Sequence, residues 1–303
     1  MSVLLKKTLL ASAVLGLSSI AQATIVTSVK PLGFIASSIA NGVTDTEVIV
    51  PAYASPHDYS LKPTDILKLR SGNLVVWVGK HVDSFLDSAI DQLPQNEVLT
   101  LADLPQFKQD PALLLNEEAH DHDHAEEADE DDEGINWHIW LSPKIGNFIA
   151  EAIATRLEKI YPDKTAQIKA NLVQFQQNLA KENSVIKQEL SPLKDKGFYV
   201  FHDAYGYFNR AYDLKQLGYF TINPMITPGA KTLAAIKKEV ADHAVQCLFT
   251  EPQFTPKMID ILHKEMHVKV GVLDPMGSDI PLNKDAYMQF LQSLANGYAK
   301  CLG

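Results

Sequence analysis

Asp163–Leu190 reads DKTAQIKANLVQFQQNLAKENSVIKQEL, and its reading decides the architecture. The apolar positions Ile168, Leu172, Phe175, Leu179, Ile186 and Leu190 recur at helical spacing and share one face. No Gly or Pro interrupts the stretch before Pro192. At ~1.5 Å per residue it spans roughly 42 Å as a single helix, the scale of a whole domain. A rigid rod joining two lobes is the natural reading. The alternative is two helices with a bend near Asn183-Ser184.

Working outward, both flanks alternate between short β-rich runs and helical stretches. Before the rod, Ile25–Val29, Glu47–Val50, Leu74–Val78 and Val98–Leu101 read as strands. Helical patterns at Pro31–Ile39, Pro63–Arg70 and Val82–Leu93 separate them, and Ser142-Pro143 marks a further helix start. After the rod, Phe198–Phe201, Tyr219–Ile222, Val245–Thr250 and Val268–Leu273 read as strands. Ala204–Ala211, Lys231–Asp242, Pro256–His267 and Lys284–Lys300 read as helices. This order predicts an α/β fold of two similar lobes. Each lobe is a mostly parallel four-stranded sheet flanked by helices, and one long rigid helix joins them. The expected divisions are 24–162 for the first lobe, 163–190 for the connecting helix and 191–303 for the second lobe.

The chain has 303 residues, 46% of them hydrophobic, which suffices for two cored domains and excludes a mainly disordered protein. Its formal charge of −10 leaves no basic footprint for nucleic acid. The acid is concentrated in residues 117–133, EEAHDHDHAEEADEDDE, where eleven carboxylates and three histidines stand without Lys or Arg. Those eleven charges set against −10 leave +1 for everything else, so the rest is a nearly neutral globular protein. The segment has no apolar periodicity and reads as a loop.

The N-terminus combines Lys6 and Lys7, an apolar run from Thr8 to Ile20 and the small-x-small site Ala21-Gln22-Ala23. This is a secretory signal, 1–23, with cleavage expected after Ala23. The run is too short to span a bilayer as a helix. In an exported protein, the only two cysteines, Cys247 and Cys301, favour a disulfide; the alternative is two buried thiols.

Four polar residues lie at strand ends or loop mouths: His57 in PHDYSLKP, His138 in NWHIWLSP, His202 in YVFHDAYGYF and Asp274 in LDPMG. In open α/β sheets, ligands gather outside the carboxyl ends of the strands. Three imidazoles and a carboxylate fill a tetrahedral zinc shell, and a histidine-rich set leans towards zinc over manganese. The alternative for each histidine is an ordinary hydrogen-bonded residue. Zinc ligation would weaken as histidines protonate below ~6.5.

These motifs, with TPGAKTL and FTEPQF, run in order over nearly all of Thr24–Cys301 and resemble the periplasmic zinc-binding proteins that feed zinc-uptake ABC transporters. The acidic His-rich insert and the C-terminal cysteine pair are similar to the Gram-negative zinc-specific branch. The resemblance implies capture of Zn²⁺ between the lobes by His57, His138 and His202, with Asp274 or a water completing the shell. It implies delivery of the ion to a membrane permease with its cytoplasmic ATPase, by a periplasmic protein that is not an enzyme and acts as a monomer. Some relatives carry a ligating Glu directly before the first His; here Pro56 stands there. Glu251 is left without a metal role, and His81 is held as an extra near the cleft.

The insert's His120, His122 and His124 alternate with Asp121 and Asp123, a pattern that binds metal weakly. The resemblance implies that it collects zinc for the main site; the alternative is a solvated acidic loop. His263-Lys-Glu-Met-His267 looks like a zinc-protease helix, but Glu265 is not directly after the first His, so that motif is absent. Two other functions compete with transport: a zinc buffer acting through the insert, and an exported zinc hydrolase.

Overall fold

A computed structural model of the chain describes residues 24–116, 134–225, 229–242, 245–254 and 257–303. The signal segment and the acidic stretch with His120, His122 and His124 lie outside the described residues. The first half runs β1 (Thr24–Thr27), α1 (Lys30–Ile39), β2 (Asp45–Val48), α2 (Pro63–Ser71), β3 (Leu74–Trp77), α3 (Asp87–Ile90), β4 (Val98–Thr100) and α4 (Pro105–Gln109). Two-residue strands β5 (Leu115–Asn116) and β6 (Ile135–Asn136) pair antiparallel across the acidic segment, followed by α5 (Pro143–Ile160). The long helix is α6 (Thr165–Leu190). The second half runs β7 (Phe198–His202), α7 (Gly206–Tyr212), β8 (Gln216–Thr221), α8 (Ala230–Asp242), β9 (Cys247–Thr250), α9 (Lys257–Met266), β10 (Lys269–Val272) and α10 (Ala286–Leu302).

Both large sheets are parallel, with orders β2-β1-β3-β4 and β10-β9-β7-β8. In the second sheet the chain passes from β7 to β8 on one side, then crosses to β9 on the other. The crevice between β7 and β9 is therefore a topological switch point, where such sheets collect ligands. The registers keep Phe198, Tyr199 and Val200 opposite Cys247, Leu248 and Phe249, which brings the residues just beyond both strand ends together.

α6 is one unbroken helix of 26 residues, roughly 39 Å long, and it does not bend at Asn183-Ser184. A 3-10 turn over Pro162–Lys164 leads into it, and another containing Pro192 follows it. Its face of Ile168, Phe175, Leu179, Ile186 and Leu190 is buried, each side chain contributing about 1.5–3 kcal/mol as an upper estimate. The rod packs against α1, α5, α7 and α10. One continuous apolar cluster joins Ile25 and Phe34 of the first half to Phe198 and Phe249 of the second. The two sheets thus share a core as well as a connecting helix, and α10 reaches back onto α1. Outer clusters cover the far faces, one around Trp77 and Ile90, the other around Phe201 and Leu262.

The Cys247–Cys301 disulfide ties β9 to α10. The helix read over Val82–Leu93 is instead a 3-10 turn at Ser84–Leu86 and the single-turn α3. The buried Asp83 carboxylate accepts the Val78 amide at 2.8 Å and folds the chain back at the end of β3. Ser142 caps α5 as read, its hydroxyl accepting the Ile145 amide at 3.2 Å. Gly146, in the first turns of that helix, leaves room for the Tyr287 ring, which a Cβ there would strike.

Candidate metal centre

Each of the three histidines is set by a local device. His57 sits in a 3-10 turn, Pro56–Asp58, whose start is fixed by its own amide donating to Ser55 Oγ at 3.2 Å. His138 precedes a 3-10 turn, Ile139–Leu141, with its amide donating to Asn136 Oδ1 at 3.1 Å. His202 is the last residue of β7 and is only 3% exposed. Trp140, Phe254, Pro275 and Met276 complete a mostly apolar lining.

The rings converge. Centroids are 5.5 Å apart for His57–His138, 5.0 Å for His57–His202 and 4.6 Å for His138–His202. One nitrogen from each lies within 4.8 Å of the other two, and no other such group of His, Cys, Asp or Glu occurs among the described residues. His57 Nε2 and His138 Nε2 are 3.4 Å apart. Two nitrogens at ~2.05 Å from one ion at tetrahedral angles stand about 3.3 Å apart, so this spacing suits zinc.

The site is built for neutral imidazole. Burial, then the charge His202 would carry, lowers His57 to about 3. Burial lowers His202 to about 4 and holds His138 well below its ordinary value, with the other two histidines adding to the effect there. His138 Nδ1 lies 2.9 Å from Asn136 Oδ1, an oxygen that can only accept. Nδ1 therefore carries the proton, and the Nε2 lone pair faces His57.

Hydrogen bonds lock the walls across the cleft. Asn136 Nδ2 donates to the Asp203 carbonyl at 2.6 Å, and Trp140 Nε1 to the Pro275 carbonyl at 2.9 Å. Lys30 Nζ donates to the Ser278 carbonyl at 2.5 Å, and the Tyr53 hydroxyl to Asp279. Behind the site, Tyr287 donates to the Trp140 carbonyl at 2.9 Å and stacks on Phe175 of α6, so the rod braces the Trp140–His138 wall.

The zinc-uptake complex component A, periplasmic, family matches residues 25–301. The chain belongs to that family. It is 53% identical to the high-affinity zinc uptake system protein ZnuA of Haemophilus ducreyi, over 98% of this chain and 99% of that one. It is 48% identical to the protein of the same name from Haemophilus influenzae, over 100% and 99%. A crystal structure of ZnuA superposes with a TM-score of 0.77 at 25% identity, covering 93% of this chain and 99% of that one. The periplasmic zinc-binding protein TroA of Treponema pallidum shares the fold, with a TM-score of 0.77 at 18% identity over 93% and 99%.

Other residues singled out in the sequence fall outside the three-histidine group. Asp274 Oδ1 accepts the Met276 amide at 3.0 Å and Gln253 Nε2 at 2.8 Å, while Oδ2 accepts the Ser278 amide at 2.5 Å. As placed, this carboxylate holds its own turn together. His81 stacks on Trp137 at 5.1 Å, next in sequence to His138. His263 Nδ1 lies 2.7 Å from the Val268 carbonyl, at the end of α9, away from the cluster.

Glu251 is the residue that the sequence reading leaves without a role. It follows the last residue of β9, is 3% exposed and lies with Oε1 3.6 Å from His202 Nδ1. Burial pushes its carboxyl well above the usual carboxylate range. An acid directly after a buried strand was the available signal; its pairing with His202 depends on the β7–β9 register.

Proposed function

We propose that this chain is the periplasmic substrate-binding component of a zinc-uptake ABC transporter, with His57, His138 and His202 holding the ion. The observation that supports this most is the convergence of three neutral imidazoles, two buried and His57 partly so, with the Nε2 atoms of His57 and His138 at zinc spacing. With Asp274 engaged by Met276, Ser278 and Gln253, a water molecule takes the fourth position; Asp274 reaches the ion only if its turn rearranges.

The geometry accounts for capture and release without a reaction. His57 and His138 come from the first half and His202 from the second, so separation of the walls breaks the shell. The largely apolar surface of the lining limits bulk water beyond that one water ligand, which strengthens each nitrogen–metal contact. The shared core and α6 limit how far the walls part, which favours small shifts over wide hinge opening. Release to a permease, with its ATPase supplying the driving energy, follows the family. Residues 1–23 act as an export signal cleaved after Ala23, and the mature chain works as a monomer without enzymatic turnover. Residues 24–162 and 191–303 act as the two lobes about 163–190.

X-ray absorption of the zinc-loaded protein tests the shell directly. The expected result is three histidine nitrogens and one oxygen. A shell dominated by carboxylate oxygens would place the zinc on the acidic segment instead.

A further inference from the structure

We propose that Glu251 is a positioning residue for zinc capture: it accepts the proton-bearing Nδ1 of His202 and turns Nε2 toward the ion. This rests on the reading of the three histidines as the zinc site.

The argument starts from topology. β7 and β9 are neighbouring parallel strands at the switch point of the second sheet. His202 ends one and Glu251 directly follows the other, so the register places them side by side beneath the cleft. Both are buried, and Glu251 Oε1 stands 3.6 Å from His202 Nδ1. Neither His202 ring nitrogen nor Glu251 Oε1 has a hydrogen-bond partner among the described residues. Unpaired buried polar atoms are costly, and three of them meeting at one place point to a function. A sub-ångström shift would make the Nδ1–Oε1 contact a hydrogen bond.

His138 provides the comparison within the same site. Its Nδ1 faces Asn136 Oδ1 at 2.9 Å, and its Nε2 faces the cluster. Two of the three histidines thus have an acceptor behind the ring, the general arrangement that fixes tautomer and orientation of a metal-bound imidazole. The acceptors differ in kind: Asn136 offers an amide oxygen and Glu251 a carboxyl oxygen. Either one, by accepting from Nδ1, leaves Nε2 free for the ion. Glu251 is not among the residues whose ligand atoms lie within 4.8 Å of one another, and we assign it as a support of His202 and not as a fourth ligand.

Glu251→Gln, nearly isosteric, tests this in the full mature chain, with Glu251→Ala beside it. Zinc affinity is measured by chelator competition, and His202 by long-range ¹H–¹⁵N spectra of the zinc-loaded and zinc-free forms. In the wild-type chain the expected spectrum has Nδ1 protonated and Nε2 as the metal-bound atom. Glu251→Gln is expected to lower affinity 10–100-fold. In Glu251→Ala, which removes the acceptor, the zinc-free His202 signals are expected to shift towards a mixture of tautomers, while the thermal melt shows that the chain is folded. Unchanged affinity with an unchanged His202 tautomer overturns the proposal. Loss of one oxygen from the zinc absorption spectrum of Glu251→Gln also overturns it, because Glu251 would then be a ligand. His138→Ala separates the two levels. If it too binds zinc normally, the site itself is misassigned; if it loses binding while Glu251→Gln does not, only the role of Glu251 falls.

Discussion

His57 Nε2 and His138 Nε2 stand 3.4 Å apart although 81 positions of chain separate them. Two neutral imidazoles at this distance share either one N–H···N hydrogen bond or a cation, and a nitrogen of His202 within 4.8 Å of both gives the group the shape of a cation site. Replacing either ring by alanine should therefore lower zinc affinity by more than about 100-fold, beyond the typical effect of losing a supporting residue. The folded state should survive, as competition titration and circular dichroism on His57→Ala would show. A fall of only two- or threefold would mean that His57 is a bystander.

Acid should destabilise the metal-free protein through the same rings. His57 and His202 have folded values of about 3 and about 4, below the ~6.5 of an exposed imidazole. Between those limits the unfolded chain takes up protons that the folded chain refuses. The contribution of these groups is thus present above pH 6.5 and is lost as pH falls towards 4. The melting temperature of the zinc-free chain should drop from pH 7 to pH 5, and more gently in a His57→Asn, His202→Asn double variant. Identical slopes would show that other groups govern the acid limb.

Tyr53 and Asp279 form a link between the two walls at the rim. Tyr53 holds a left-handed backbone at φ 66°, its hydroxyl donates to Asp279, and its amide lies 3.4 Å from Ser278 Oγ. Tyr53 is exposed, so solvent competes for the bond and its net worth is modest. Tyr53→Phe should speed zinc release up to about tenfold and leave the melting temperature nearly unchanged. Stopped-flow chelation measures this; an unaltered release rate would show that the contact does not restrain opening.

Cys247 and Cys301 close a loop of 54 positions. Constraining the unfolded chain to that extent is worth roughly 4 kcal/mol on the loop-entropy account. A Cys247→Ser, Cys301→Ser variant should lose stability of that order in urea unfolding, with zinc affinity little changed because α10 remains packed by Phe290, Leu291, Leu294 and Tyr298. A loss below about 1 kcal/mol would show that this packing alone fixes the tail.

Periodic features were legible in the sequence. The apolar stripe of α6 and the eight short β-rich runs each correspond to an observed element, because burial of one face imposes a local repeat. The pairs β5 and β6 were not legible, since two residues show no period. Val82–Leu93 carried a helical pattern but yielded to Asp83, whose buried carboxylate grips the end of β3. The three histidines could be picked as strand-end and loop residues and from the family motifs, yet their separation in sequence says nothing of a common point in space. Glu251 was passed over because its partner is set by the pairing of β7 with β9, a contact no local pattern reveals. Asp274 was legible as a carboxylate at a strand end, while its hydrogen bonds to the Met276 and Ser278 amides come from a turn that no period shows.

Zinc titration under chelator competition, on the mature chain, on a variant lacking residues 117–133 and on His138→Ala with His202→Ala, tests the central claim most directly. One tight site should persist without the acidic segment and disappear in the double variant. Tight binding that vanishes with the acidic segment and survives loss of both histidines would contradict the account.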